Sequence, residues 1–362
     1  MANTTVSQLR TKNKKTILSI LERNSPLKSS DISKLSNLSI VSINNIINEL
    51  IATNLVTAQS DKIKTGGRHA KLFELDYSNY YLLIIQIFEK GKNMIATASL
   101  CDLQGNNQSP KELDQEIQNY IDLETFISSS VDRFSHEVSG IVIGIPGAVA
   151  KGVVKNSDLK TLTGINLSSK IKEYTGIKTF ILNDVNAMIY GVMPEINEQN
   201  KMIVDSAIAL YYPEHNKPGA GLIIKDSLVI GANGLAGEII YSSNSKLYDN
   251  IDKASDSFVN VIVKDIQNVV SIIDPNYVIV FDENKSSPEL IKEKLNEDLN
   301  IHHNTKLVFK DNAIKNFKYG LVRFGREQIY SFITQNIWFI QVFFFDLMSV
   351  KIYYINFINK LK

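Results

Sequence analysis

Ser42, Asn44, Asn45 and Asn48 stand close together in the segment Ile40-Val41-Ser42-Ile43-Asn44-Asn45-Ile46-Ile47-Asn48. An Asn carboxamide can pair bidentately with the edge of an adenine in the major groove of a duplex, and a Ser hydroxyl bonds there less selectively. Lys12, Lys14 and Lys15 come before this segment, and Gly66-Gly67-Arg68 comes after it. Ammonium groups neutralise phosphates. Paired glycines let backbone approach a duplex closely, and an arginine between strands can enter a minor groove or clamp a phosphate. Together these residues are equipment for gripping nucleic acid.

They need a scaffold, and the flanking sequence predicts one. Ile17, Leu18, Ile20 and Leu21 form an apolar stripe of helical period, closed off near Pro26. Ser29-Ser30-Asp31 carries capping residues for a helix of about two turns. Ser36-Asn37-Leu38 makes a short turn, after which Ser39 can cap a third helix. In that helix Ile43, Ile46, Ile47, Leu50 and Ile51 share one face, while Val41, Ser42, Asn44, Asn45 and Asn48 point the other way. A helix-turn-helix has this layout, and so has a small three-helix bundle with a merely wet outer face. Leu55–Gln59 and Lys71–Leu75 then read as two strands around the polar loop 60–70. Alone, Gly66-Gly67-Arg68 is an ordinary hairpin turn. After a helix-turn-helix it is the wing of a winged helix, and the combination over residues 1–76 predicts binding to double-stranded DNA.

Charge is distributed accordingly. The chain of 362 residues carries 39 basic and 38 acidic side chains, yet Met1 to Leu75 holds eleven basic and five acidic. A head of +6 thus sits on a remainder of about −5, as expected if only the head meets a polyanion. The length predicts two or three compact units, and the 44% apolar and 21% charged content suits a globular protein. The single cysteine, Cys101, cannot form an internal disulfide or build a Cys-rich zinc site, which excludes a secreted disulfide scaffold. The start, MANTTVSQLRTKNKK, has no apolar signal-peptide core, so a cytoplasmic location is expected.

Beyond residue 80 the pattern changes. Apolar runs at 81–87, 93–100, 140–145, 179–182, 206–211, 220–224 and 277–281 read as strands, and Leu123 to Phe134 reads as a helix. Strands alternating with helices predict an α/β body in two lobes.

Four motifs in order carry a resemblance: the winged head with Gly66-Gly67-Arg68; Gly144-Ile145-Pro146-Gly147; Asn183-Asp184-Val185-Asn186-Ala187; and Gly231-Ala232-Asn233-Gly234-Leu235-Ala236-Gly237-Glu238. Their order and spacing over residues 10–330 resemble the ROK family of repressors and kinases, in particular its xylose-repressor and N-acetylglucosamine-repressor branch. The resemblance implies a winged helix-turn-helix followed by a two-lobed actin-like, hexokinase-like domain over 80–335, with a sugar bound between the lobes. It assigns sugar contacts to Asn183, Asp184, Glu238 and, at the position where the family carries a histidine, Tyr241. In the family's kinases the residue matching Asp184 is the general base. Taken alone, Asp184 is equally a helix N-cap and Glu238 a solvated loop acid.

The same resemblance predicts no phosphoryl transfer. Where the kinases carry an Asp-Ile-Gly-Gly-Thr type loop, this chain has Gln86-Ile87-Phe88-Glu89-Lys90-Gly91-Lys92. Pro213 to Gly221 keeps only the last glycines of the second phosphate loop, and Phe281-Asp282-Glu283 replaces a Gly-Gly pair. Bulky and acidic groups there obstruct and repel a triphosphate. Residues 242–258 contain no Cys or His, so the structural zinc of many relatives is not expected, nor any other metal or cofactor. His302-His303 lie in a polar stretch and read as surface residues.

Residues 337–358 are rich in bulky apolar side chains, but Asp346 and Lys351 interrupt them, so a packed C-terminal extension over 336–362 is expected instead of a membrane span. The resulting expectation is a homodimeric transcriptional repressor of carbohydrate-utilisation genes, released from its operator by a sugar inducer. The alternatives are a ROK-type sugar kinase with a DNA-binding head, and a regulator that has lost its ligand.

Overall fold

The computed structural model describes residues 6–60, 71–108, 112–134, 138–241, 245–248, 251–298 and 305–335. They divide into two compact units, one drawn from within Met1–Asn79 and Glu327–Lys362, the other from Tyr80–Arg326. The expected boundary at residue 335 therefore moves: residues 327–335 cluster with the head. Their Ile329, Tyr330 and Ile333 are buried, and the Thr334 carbonyl accepts a hydrogen bond from Lys14 Nζ (3.4 Å).

In the head, α1 (Val6–Asn24), α2 (Ser29–Ser36) and α3 (Ile40–Ala52) precede the hairpin β1 (Val56–Ser60) and β2 (Lys71–Leu75). Ile17, Leu18, Leu21, Ile32, Ile43, Ile46, Ile47 and Leu50 bury the shared core, so the isoleucine periodicity of α3 faces inward. The Ser39 hydroxyl caps α3 by accepting from Ser42 N (3.1 Å). The turn before it passes through Asn37 in the left-handed region (φ 57°), whose N–H bonds Ser33 O. At α2 the expected serine cap is absent: Lys28 is the N-cap residue, and its side chain does not cap the helix. Ser29 Oγ is turned toward α3 instead. The strands pair antiparallel from Val56↔Leu75 to Ser60↔Lys71, and Leu27 exchanges backbone hydrogen bonds with Phe73 (3.0 and 2.8 Å) on the other edge of β2. This is a winged helix-turn-helix. The expected wing tip, with Gly66, Gly67 and Arg68, lies outside the described residues.

The body repeats one topology twice. Its first sheet joins β3 (Tyr81–Lys90), β4 (Asn93–Asp102), β5 (Leu113–Glu116), β6 (Val138–Ile145) and β9 (Thr179–Asn183) in the order β5-β4-β3-β6-β9. The short hairpin β7 (Val149–Ala150) and β8 (Val153–Val154) follows β6. The second sheet joins β10 (Ser206–Tyr212), β11 (Gly219–Ile224), β12 (Ser227–Leu228), β13 (Tyr277–Asp282) and β14 (Lys306–Phe309) as β12-β11-β10-β13-β14. Each sheet starts with an antiparallel hairpin and then adds parallel strands on the far side of its first strand. α4 (Tyr120–Phe134) and α5 (Leu167–Thr175) cover the first sheet; α7 (Asp256–Ile273) and α8 (Pro288–Asp298) cover the second.

Between the sheets runs α6 (Asp184–Asn200), in contact with β6 and β9 on one side and β10 and β11 on the other. A last helix, α9 (residues 313–335), crosses α6 at two glycines. A Cβ on Gly320 would stand 1.7 Å from Ala187 O, and one on Gly191 2.0 Å from Asn316 O. Only hydrogen fits at either place. The first turn of α6 is thereby held at the seam of the two lobes.

Candidate functional site

On the head, the structure separates residues that the sequence grouped. Asn44, Asn45 and Asn48 are exposed on the outer face of α3. Asn44 Oδ1 accepts a hydrogen bond from Ser29 Oγ (2.7 Å), and the Ser42 hydroxyl shares one with Ser39 (2.9 Å). Lys12 and Lys15 are exposed and, with Arg23, line an open groove of about 580 Å³ along α1.

Lys14 is a correction. It is 5% exposed, because it falls on the buried stripe of α1 with Ile17, Leu18 and Leu21. Its Nζ pairs with Glu49 Oε2 (2.8 Å) and the Thr334 carbonyl, and Arg10 holds the other Glu49 oxygen. Lys14 thus leaves the set of phosphate-binding groups. Burial raises the Glu49 carboxyl, but hydrogen bonds and charge from Lys14 and Arg10 outweigh it and hold the group below the usual carboxylate range.

In the body, Asn183, Asp184 and Glu238 line one cavity of about 70 Å³ with Asn156, Asp158 and Tyr211. The order in the chain explains the convergence. β9 ends at Asn183, whose Oδ1 caps α6 by accepting from Asn186 N (2.9 Å). Its Nδ2 donates to Gly147 O (2.8 Å) and Asp184 Oδ1 (2.9 Å), fixing the glycine loop and the acid together. The cap is therefore Asn183, not Asp184. Asp184 Oδ1 also accepts from Val185 N (2.8 Å), and the carboxyl faces the cavity.

Burial, with the charges of Asp158 and Glu238, pushes Asp184 up to about 8. Desolvation raises Glu238 and Asp158 as well, and Asp158 adds to the rise of Glu238. Asp184 thus holds its proton near neutral pH and can both donate to and accept from the hydroxyls of a polyol, beside two further acids whose affinity for protons is also raised.

Tyr241 is the second correction. It is 65% exposed and does not line the cavity, because the tight turn Ile239–Tyr241 faces Ile240 inward. Asp158 is the residue that sequence reading missed. Gly147 (φ +111°) lets the loop after β6 press against the 156–157 backbone, where a Cβ would meet Asn156 O at 2.2 Å. Ser157 Oγ donates to Pro146 O (2.9 Å) and secures the turn that carries Asp158. The polar run Asn156-Ser157-Asp158 behind two short strands was the available signal.

The segment after β10 is tied down from several sides. Glu89, at the end of β3, accepts from Asn216 N (3.2 Å) and contacts His215 Nδ1 (3.0 Å). Glu283 accepts from Glu214 N (3.2 Å) and from the Tyr211 hydroxyl (2.9 Å). Lys253 Nζ donates to the carbonyls of Pro213 (2.6 Å) and Asn216 (2.9 Å). Carboxylates therefore border the loop 213–218.

Among the described residues no group of His, Cys, Asp or Glu is arranged to hold a metal, and no helix is long and apolar enough to cross a membrane. His302, His303 and the apolar tail 337–358 lie outside the described residues.

A sheet built twice, with a polar cleft at the seam and a capped helix opening into it, defines the actin-like class of two-lobed proteins. Residues 89–241 match the model of the ROK family. It is 26% identical over 243 residues to the xylose repressor of Bacillus spizizenii, covering 63% of this chain and 59% of that one. The chain thus spans less than two thirds of that relative's length. Its fold superposes on a ROK family transcriptional regulator, described as a homolog of the E. coli MLC protein, with TM-score 0.69 and 16% identity, over 90% of this chain and 99% of that one. A ROK family glucokinase from Streptomyces griseus, in complex with glucose and AMPPNP, superposes with TM-score 0.51 and 16% identity, over 68% of this chain and 99% of that one.

Proposed function

We propose that this protein is a sugar-responsive transcriptional repressor, cytoplasmic and homodimeric, that binds operator DNA through its head and an inducer in the cleft. The observation that carries the reading is the uncharged amide face of α3, exposed on a head of net +6 and joined to a domain with a carboxyl-lined pocket. Asn44, Asn45 and Asn48 would read bases; Lys12, Lys15 and Arg68 would anchor phosphates or the minor groove. Gly66 and Gly67 would bring the wing close to the duplex, with Ser42 as an adjunct. Asn183, Asp184, Asp158 and Glu238 would take the hydroxyls of a sugar. The xylose repressor relative supports a pentose as inducer.

Titration of the full chain against its own upstream DNA tests this. Binding should prefer one sequence, weaken steeply with salt, and be released by one sugar among xylose, glucose and N-acetylglucosamine. Sequence-indifferent binding, or none, rejects the regulator. Sequence-specific binding that no sugar alters leaves a regulator without a ligand.

One observation favours a sugar kinase instead: Asp184 faces the cleft at the position that is the general base in ROK kinases. Against it stand Glu89, Glu283 and Asp282 around the loop 213–218, where phosphates would need backbone N–H groups and cations. ADP release with hexoses, abolished by Asp184→Ala, would reverse the preference.

A further inference from the structure

The recognition helix α3 has an unusual reading face. It contains no Lys or Arg, and its one charged residue, Glu49, is bound by Arg10 and Lys14. It therefore lacks the bidentate arginine that most often reads guanine. What it presents is Val41, Asn45 and Asn48, spaced i, i+4, i+7 and so aligned along one side of the helix. Neither the Asn45 nor the Asn48 carboxamide has a hydrogen-bond partner among the described residues, whereas that of Asn44 is held by Ser29.

Val41 is 71% exposed in the first turn of α3. A β-branched side chain there gains no burial and costs helix propensity relative to a polar or straight-chain residue. The first turn of a recognition helix is also where side chains meet base edges. The apolar group on offer in the major groove is the C5-methyl of thymine. The charge of the head selects the occupant of this face: Lys12, Lys15 and Arg23 are exposed on α1 in a head of +6, which suits a duplex polyanion.

We infer that Val41 is a specificity-determining residue that reads a thymine methyl group, in line with A·T pairs read by Asn45 and Asn48. The inference rests on the DNA-binding reading above and goes beyond it by assigning a chemical feature of one base to one side chain.

Replacing thymine by uracil removes only that methyl, which makes the test narrow. A preferred duplex is first selected from a random pool with the full chain. Each thymine of its half-site is then replaced in turn by deoxyuridine, and affinities are measured for the wild type, Val41→Ser and Asn48→Ala. One uracil position should weaken wild-type binding about fourfold, the worth of one buried methyl. Val41→Ser should bind the thymine duplex about fourfold more weakly and lose the uracil penalty at that position. Asn48→Ala should keep it. Wild-type indifference to uracil at every position, or a penalty that persists in Val41→Ser, overturns the assignment while leaving DNA binding standing. Failure to select any preferred duplex removes the DNA reading itself, and the assignment with it.

Discussion

Glu49 in the head and Asp184 in the body are both carboxyls drawn out of solvent, and they end in opposite states. Glu49 meets two cations, Lys14 and Arg10, whose hydrogen bonds and charge override its burial and keep it ionised below the usual range. Asp184 meets amides, a backbone N–H and the neighbouring acids Asp158 and Glu238, and burial lifts it to about 8. A carboxylate locked to cations is structural cement. One that keeps its proton in a cavity retains a hydrogen-bond donor there.

The two halves should therefore respond to pH with opposite sign. Asp184 binds its proton more tightly folded than unfolded, so its contribution to stability is full below its ordinary value of 3.8 and is lost as pH rises through about 8. Urea unfolding of the body should show stability falling across that window, by at most about 6 kcal/mol. Asp184→Asn should flatten the slope; an unchanged slope would mean the buried acid is not the titrating group. Glu49 works the other way, contributing above its ordinary 4.5 and losing that contribution as pH falls through its lowered value.

Lys14→Met attacks the head's side of the contrast, leaving Glu49 with Arg10 alone and the Thr334 carbonyl without its ammonium. Chemical denaturation should register a loss of about 2 kcal/mol, with DNA affinity per folded molecule unchanged. A fall in affinity instead would return Lys14 to the phosphate contacts. The smallest effect is expected from Ser39→Ala, which removes the α3 cap and the Ser42 partner for about 1 kcal/mol.

Much of the head was legible because its signals are local. Ser39 followed by isoleucines at helical spacing gives α3 its cap, its buried side and its amide side within one segment. β3, β4, β6 and β10 were readable for the same reason, as continuous apolar runs bounded by turns. β14, four residues long and not flanked by an apolar run, owes its existence to parallel pairing with β13 and was not readable. The helical period of α1 could have exposed Lys14, since it stands one turn before Ile17 and Leu18 on the buried stripe. A run of lysines conceals that position.

Alone, the amino-acid sequence determined the head's helices and hairpin, the longer apolar strands of the body, where the head's charge lies, and that Asn183 and Asp184 meet at a strand end. Periodicity, capping and composition act over a few residues, and so they survive without a fold. Tertiary structure alone decided that Lys14 belongs to the core, that Tyr241 turns outward, and that Asp158 joins the cleft. Those outcomes depend on partners far away in the chain, Thr334 lying 320 positions from Lys14, and burial or a shared cavity exists only once the chain has closed on itself.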